Sequence, residues 1–310
     1  MRIKQILIII FALAITSFIG YKFGLSQSGN VLKSVVEPGS MVTEASYVIF
    51  TDGAMIYARD GNTGEIVNSN TDASTVINWA INQLTNGGKI FIKAGTYELS
   101  SYINVGTNTW DIPFTIEGEG FNTILKIADN TNTPIIRSRC AVTTGCVNGF
   151  VHLRNFQIDG NKDNNNFGSY CIEWAVYQGT IENIKIKNCK SHGIYLIGNG
   201  TGASASDNSI HNVIIANCDG DGIRAHGING GNAADNRITD STIFNNKGNG
   251  IYYDQGNPTI IGNAIYGNDK SGIVIYQLIW GQISENQIAG NGEHGIYFYN
   301  GFFLTQPTRQ

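Results

Sequence analysis

Three side chains in the second half of the chain have the types and spacing needed for acid–base chemistry. Arg224 and His226 lie two residues apart, and Asp254 follows His226 by 28 residues. A carboxylate beside an imidazole fixes the tautomer of the ring and strengthens it as a base, and a neighbouring guanidinium can neutralise an anionic substrate group. We therefore expect Arg224, His226 and Asp254 to be the catalytic residues of a general acid–base site.

A second group of residues, mostly aromatic, occurs at the same positions of other repeats as Arg224, His226 and Asp254. Tyrosine rings stack on sugar rings while their hydroxyl groups form hydrogen bonds, so the group favours a carbohydrate ligand. Tyrosines that face away from a core are also good strand formers, and this structural explanation stays open. The candidate substrate-binding residues are Glu173, Tyr195, Tyr252, Tyr276, Tyr297 and Tyr299.

A repeated segment must position these candidates. Five copies begin at Ile181, Ile210, Ile238, Ile260 and Ile283. Each copy carries a glycine near its end, and these glycines are 29, 28, 22 and 23 residues apart. A repeat near 22 residues that tolerates insertions at one place indicates a solenoid with loops on one face.

Isoleucine recurs at three positions of every copy, for example at Ile238, Ile243 and Ile251. Identical side chains would then stack from coil to coil, about 4.8 Å apart, as in a parallel sheet. Because side chains alternate across a strand, the residue after Ile223 and the residue two further on face outward. This pattern predicts that Arg224, His226 and Asp254 share one outer face on adjacent coils.

The residues before the repeat complete a recognisable pattern. They comprise a predicted helix near residues 73–85, with Asp72 as its N-cap, followed by the strands GGKIFIKAGTYEL and FTIEGEGFNTIL. Together with the repeat they resemble the pectate lyase-like superfamily over about residues 70–300. The resemblance implies an all-β, right-handed parallel β-helix at 71–304 with a short N-terminal capping helix. It leaves the activity open, because lyases, hydrolases, epimerases, phage tailspikes and non-catalytic surface proteins share such coils.

The N-terminal residues 1–24 have the pattern of a membrane segment. Arg2 and Lys4 precede an apolar run from Ile6 to Gly20, and positive residues before such a run remain on the cytoplasmic side. We favour an uncleaved single-pass anchor over a cleaved signal peptide. The rest of the chain is then extracytoplasmic, at the cell surface or secreted, with a polar stalk at 25–45, a small β-hairpin module at 46–70 and a tail at 305–310.

Export permits disulfides, and the chain has five cysteines. Cys140 and Cys146 flank a short polar stretch and are the expected pair. Cys189 and Cys218 occupy equivalent positions in two repeats, where we expect them to stack as unbonded buried side chains. Cysteine and histidine do not cluster with the spacing of a zinc site.

The composition limits the partners and cofactors. A net charge of −4 and a pI near 5.7 leave no basic surface for nucleic acid. We expect a polysaccharide or glycan partner, the membrane through the N-terminal segment, and end-to-end association of solenoids. No cofactor is expected; calcium bound by Asp219 and Asp221 stays open, although no loop there resembles an EF-hand. A polysaccharide-active enzyme and a non-catalytic adhesin or tailspike-like protein are both consistent with the sequence.

Overall fold

The computed structural model describes residues 45–106, 112–141, 148–165, 170–200, 205–278 and 280–299. The chain divides into two compact units, 1–43 and 44–310. The first unit, including the predicted membrane segment at 1–24, lies outside the described residues. Within the described ranges no helix is long and apolar enough to cross a membrane.

The described residues between 45 and 299 form a parallel β-helix with two sheets. The smaller sheet has eight strands, one for each coil. They are β6 (Ile103–Asn104), β9 (Ile136–Arg137), β11 (Ile172–Trp174), β13 (Ile194–Asn199), β16 (Ile223–Ile228), β19 (Ile251–Gly256), β22 (Ile273–Leu278) and β25 (Ile296–Phe298).

The larger sheet has 17 strands. Its first strands are β1 (Tyr47–Thr51), β2 (Ile56–Asp60), β3 (Ile66–Asn70), β4 (Gly88–Ile92), β5 (Gly95–Leu99), β7 (Phe114–Gly118), β8 (Thr123–Ile127), β10 (Val151–Asp159) and β12 (Thr180–Lys187). The later strands are β14 (Ser209–His211), β15 (Ile214–Ala216), β17 (Arg237–Thr239), β18 (Thr242–Phe244), β20 (Thr259–Ile261), β21 (Ala264–Tyr266), β23 (Gln282–Ser284) and β24 (Gln287–Ala289).

The region predicted as a hairpin module, 46–70, contains three antiparallel strands. Strand β1 pairs with β2, and β2 pairs with β3. The other edge of β1 pairs in parallel with β4, where Tyr47 lies opposite Ile90. The module is therefore continuous with the first coil of the larger sheet.

In the part of the chain that the structure describes, one α-helix, α1 (Ala73–Gln83), precedes the first coil. The Asp72 side chain accepts hydrogen bonds from the backbone N–H groups of Ser74 and Thr75, which satisfies two of the free donors at the helix start. Val76 and Ile77 on its inner face are fully buried in the same core cluster as the coils. The helix was expected in this place; its role as a cap on the core stays a prediction.

The three predicted isoleucine columns are confirmed by the strand register. Ile243, for example, lies between Ile215 and Ile265 in parallel pairing, and all three side chains are fully buried. Burying an aliphatic side chain of this size contributes about 1.5–3 kcal/mol. The inner columns thus form a continuous core through successive coils, and this core holds the outward residues in register.

Asparagines at the turns form a second, polar ladder inside the solenoid. Asn246 donates both its backbone N–H and its Nδ2 to Oδ1 of Asn268, at 3.1 and 2.9 Å. Asn268 repeats both bonds with Asn291. Because each buried amide is satisfied by its neighbour, the turn adds no unpaired polar group to the core.

One cysteine prediction is wrong. Cys189 does not stack as a free thiol but forms a disulfide with Cys171, whose Cα lies 5.5 Å away, a normal separation for the bond. Cys218 is buried and free, as expected. Cys140 is buried, and its predicted bond to Cys146 stays a prediction because Cys146 lies outside the described residues.

Candidate functional site

The outer face of the eight-stranded sheet carries the candidate residues. Arg224 on β16 lies opposite Tyr195 on β13 and Tyr252 on β19. His226 lies opposite Ile197 in the next outward column. Burial alternates as predicted at the start of β16, where Ile223 and Ala225 are buried and Arg224 is partly exposed, and at the start of β19, whereas every residue of β13 is buried.

His226 and Asp254 are in direct contact. Nδ1 of the imidazole forms a hydrogen bond with Oδ2 of the carboxylate, between adjacent coils. With Nδ1–H donated to Asp254, the lone pair of Nε2 is left for a ligand proton. Both side chains are partly exposed, so this nitrogen can work as a base toward a substrate on the face.

Arg224 is held in place by two neighbours. Its Nη1 donates to Oδ2 of Asp221 at 3.1 Å, and its guanidinium carbon lies 4.2 Å from the centre of the Tyr252 ring. Asp221 is buried and also accepts hydrogen bonds from the backbone N–H and Nδ2 of Asn249, at 2.7 and 2.9 Å. Asp221 thus orients the arginine.

The first part of the face, which we call the covered half, contains Glu173 and Tyr195. Only 5% of Glu173 is exposed, and its carboxylate pairs with Arg137. Tyr195 is 9% exposed and packs against Tyr170, with ring centres 4.5 Å apart. Burial raises the pKa of Tyr195 to about 12. The structure therefore places these two candidates where a polymer on the outside has little access to them.

The second part, which we call the open half, contains the other four tyrosines. Tyr276 and Tyr297 are each 38% exposed and Tyr299 is 55% exposed. Together with Tyr252 they line an open groove of about 530 Å³. Tyr276 and Tyr299 stack with ring centres 4.6 Å apart, which aligns two aromatic faces along the groove. This size and lining suit a chain of sugar rings.

Three titratable residues of this groove, Lys270, Glu293 and His294, were not among the site residues predicted from the sequence. Oε2 of Glu293 accepts a hydrogen bond from Ser271 at 3.3 Å, and the His294 ring stacks on Tyr297 at 5.0 Å. All three belong to the turns that lead into β22 and β25. Their positions directly before an outward-facing strand were the available signal.

The two aspartates considered for calcium do not fit a calcium site. Asp219 pairs with the ammonium groups of Lys162, Lys190 and Lys247, at 2.9–3.4 Å. Asp221 is engaged by Arg224. Cations of the chain thus occupy both carboxylates, whereas calcium needs six or more oxygen ligands. Among the described residues, no group of three or more acidic, histidine or cysteine side chains could hold a metal ion.

Solved structures with similar folds include proteins that act on polysaccharides. The Agl-KA catalytic domain matches with a TM-score of 0.59 and 18% identity, over 76% of this chain and 42% of its own. The A-module of the mannuronan C-5 epimerase AlgE4 from Azotobacter vinelandii matches with a TM-score of 0.50 and 18% identity, over 73% of this chain and 70% of its own. At these identities the likeness establishes the fold alone.

The family comparison covers more than half of the chain. Residues 139–306 match the family described as right handed beta helix region. No curated protein sequence matches the chain. The predicted right-handed β-helix is confirmed, and the chain belongs to the right-handed β-helix family.

Proposed function

We propose that this protein binds an extended polysaccharide along the outer face of the eight-stranded sheet and modifies it by acid–base chemistry at His226. The observation that carries the proposal is the His226–Asp254 contact beside the tyrosine groove, which is also lined by Tyr252 on the same strand as Asp254. A sugar stacked on the open half would extend toward the imidazole. The fold likeness to polysaccharide-active domains supports this choice of substrate class.

The surrounding charges favour an acidic polysaccharide. Arg224 places a guanidinium two residues from His226, and Lys270 supplies an ammonium group to the groove. Either cation can neutralise a uronate carboxylate, which makes the hydrogen on the neighbouring ring carbon more acidic. His226 Nε2 would take that proton, and the electron pair would pass into the carboxylate group. Loss of the glycosidic oxygen then gives a lyase, and return of a proton to the opposite face gives an epimerase.

The Tyr252 phenol is suited to the complementary acid role. Burial and the nearby Asp254 carboxylate raise its pKa, so the hydroxyl remains protonated. A protonated phenol beside a base can donate a proton to a leaving oxygen or to the opposite ring face. Arg224, stacked on the same ring, keeps it in position.

A non-catalytic glycan-binding role is the second candidate. One observation favours it: Arg224 already pairs with Asp221 and Tyr252, so part of its charge is engaged within the protein. An adhesin needs only the exposed tyrosines of the open half. In that case the His226–Asp254 pair would stabilise the outer face of the eight-stranded sheet without acting on a substrate.

The remaining features of the proposal rest mainly on the sequence. Export and anchoring follow from the pattern in residues 1–24. A capping role for α1 is supported by its buried apolar face. End-to-end association of solenoids stays a proposal from the sequence.

Turnover on a panel of acidic and neutral polysaccharides tests the proposal. Unsaturated-product absorbance, reducing ends and the proton spectrum of the anomeric region together detect lyase, hydrolase and epimerase products. We expect His226→Ala to lower turnover at least a hundredfold without changing the melting temperature. His211→Ala is the matched control, because His211 also lies beside an aspartate, Asp240, but on the larger sheet.

Two results would contradict catalysis at this face. One is full activity in a variant lacking both Arg224 and His226. The other is an absence of product from every polysaccharide, combined with binding that weakens in Tyr276→Ala and Tyr297→Ala. The second result would establish the glycan-binding role instead.

A further inference from the structure

A second groove lies on the outer face of the larger sheet. It measures about 460 Å³ and is lined by Phe91, Glu119, Phe121, Asn155 and Asn183. We call it the phenylalanine groove. None of its residues belongs to the candidate active face, which is formed by the other sheet.

Glycines in one turn shape this groove. A Cβ at Gly118 would lie 2.4 Å from the backbone oxygen of Asn155, so only glycine lets the next coil approach and form the floor. Gly120 has φ +113°, a conformation that side chains rarely adopt. The turn places Phe121 at the rim, with 44% of its surface exposed.

An amide ladder forms the opposite wall. Asn183 Nδ2 donates to Oδ1 of Asn155 at 3.2 Å, and Asn155 Nδ2 donates to Glu117 at 3.1 Å. Each primary amide carries two hydrogens, and these bonds take one from each. Among the contacts of the described residues, the second hydrogen of each amide is left for a ligand. Donors at successive coils are spaced about 4.8 Å apart.

The charges in the groove are balanced. The Glu119 carboxylate accepts from Lys93 Nζ and from the backbone N–H of Ala94, both at 2.9 Å. The neighbouring Glu117 is paired with Lys89 and Arg154. The Lys93 ammonium also lies over the Phe91 ring. A ligand in this groove therefore meets an aromatic ring and amide donors but no unpaired charge.

We infer that the phenylalanine groove binds a neutral oligosaccharide. An aromatic face suits the C–H side of a hexose, and regularly spaced amides suit its hydroxyl groups. The volume lies within the range of small-ligand sites. Such a site would hold a neutral polymer on one face while the other face engages its own substrate, so the inference goes beyond the proposed function and does not depend on it.

Calorimetric titration of the full chain with cellohexaose, mannohexaose and hexagalacturonate tests this inference. In a Tyr276→Ala, Tyr297→Ala double variant, which weakens the proposed acidic-polysaccharide face, we expect a neutral hexaose to keep its wild-type affinity and to bind more tightly than hexagalacturonate. Phe121→Ala should weaken binding at least tenfold. Phe121→Leu should weaken it similarly, because leucine retains apolar bulk but no ring face.

Tyr266→Ala is the matched control. Tyr266 is also an exposed aromatic residue of the larger sheet, but it stacks on Phe244, outside the groove. Its removal should leave the affinity unchanged. The inference is overturned if neither neutral hexaose binds, or if Phe121→Ala binds as tightly as the wild type with the same melting temperature. Loss of binding only in the tyrosine double variant would assign the neutral sugar to the other face.

Discussion

The covered and open halves of the candidate face are built on the same outward columns but differ in access. Tyr195 and Tyr297 belong to one column, linked through Arg224, Tyr252 and Val274 by strand register. Tyr195 packs in a cluster with Cys140, Ala141 and Ile197. Tyr297 lines an open groove. An outward position on a strand therefore makes a residue available only where no other segment lies over it.

The lengths of the coils explain the difference. Ile136 and Ile172 are ladder partners 36 residues apart, and residues from this longer coil cover the first half of the face. Asn199 on β13 fixes that cover by donating to the backbone oxygen of Ala141 at 3.1 Å. Ile251 and Ile273 are only 22 residues apart and leave no comparable insertion.

The substitution with the largest expected effect disrupts the buried core that supports both halves of the face. Ile243→Asp should prevent folding, because an unpaired charge would enter a fully buried column. Soluble expression and thermal melting measure the effect. Thr242→Asp is the control, because Thr242 is the preceding, partly exposed residue of β18, and it should fold normally. A soluble Ile243→Asp protein with a cooperative melt would refute the column assignment.

Removing one tyrosine from each half separates stability from binding. Tyr195→Ala should lower the free energy of unfolding by about 3 kcal/mol, because it leaves a cavity in a packed cluster. Tyr297→Ala should change stability little but weaken glycan binding about tenfold, through lost stacking. Chemical denaturation and calorimetry measure the two effects.

Equal effects of these two variants would remove the distinction between the halves. In particular, a stable Tyr195→Ala protein with weakened binding would mean that the cover opens in solution.

The Cys171–Cys189 disulfide restrains the covered half alone. It closes a loop with a sequence separation of 18, so replacing both cysteines by serine should cost roughly 2–3 kcal/mol in the free energy of unfolding. Amide hydrogen exchange should increase in β11 and β13 but not in β22. The control is Cys218→Ser, a buried thiol outside the bond. Uniform acceleration across all coils would contradict a local role.

A further expected effect depends on pH. Burial lowers the pKa of His192 to about 4, from an ordinary value of 6.5, against the opposing influence of Asp221. The unfolded chain therefore takes up a proton at higher pH than the folded chain, so stability is complete above pH 6.5 and falls as the pH drops toward 4. His192→Asn cannot titrate and retains an acceptor for the Asp221 N–H. Its melting temperature should fall less over this interval, and an equal fall would assign the effect to other groups.

The fold could be predicted because the residues that specify it recur at regular intervals along the sequence. Ile215, Ile243 and Ile265 repeat at fixed positions, and strand alternation then placed His226 and Asp254 side by side without any knowledge of loops. The disulfide could not be predicted in this way, because Cys171 immediately precedes its ladder isoleucine whereas Cys189 lies five residues before its own. Their proximity depends on how the turn folds.

The burial of Tyr195 and Glu173 could not be predicted from the repeat pattern either. Tyr195 is covered by residues such as Ala141 in a different coil, and no repeat specifies where an insertion folds. Lys270 and His294 were not among the predicted site residues for a related reason: turn residues do not follow strand alternation, so their side-chain directions cannot be read from spacing.

Because the asparagine ladder repeats the same contacts from coil to coil, one coil of the solenoid can take the place of another. Asn246 and Asn268 offer the same donors and acceptors to the coil above and the coil below. Excising residues 251–272 would bring Asn246 onto Asn291 and Ile243 onto Ile288, with each group meeting the partner type that it had before. Whole-coil duplication or loss can therefore change the reach of the molecule along a polymer in steps of about 4.8 Å while the ladder contacts keep their partner types, although this particular excision also removes Tyr252 and Asp254 of the candidate site.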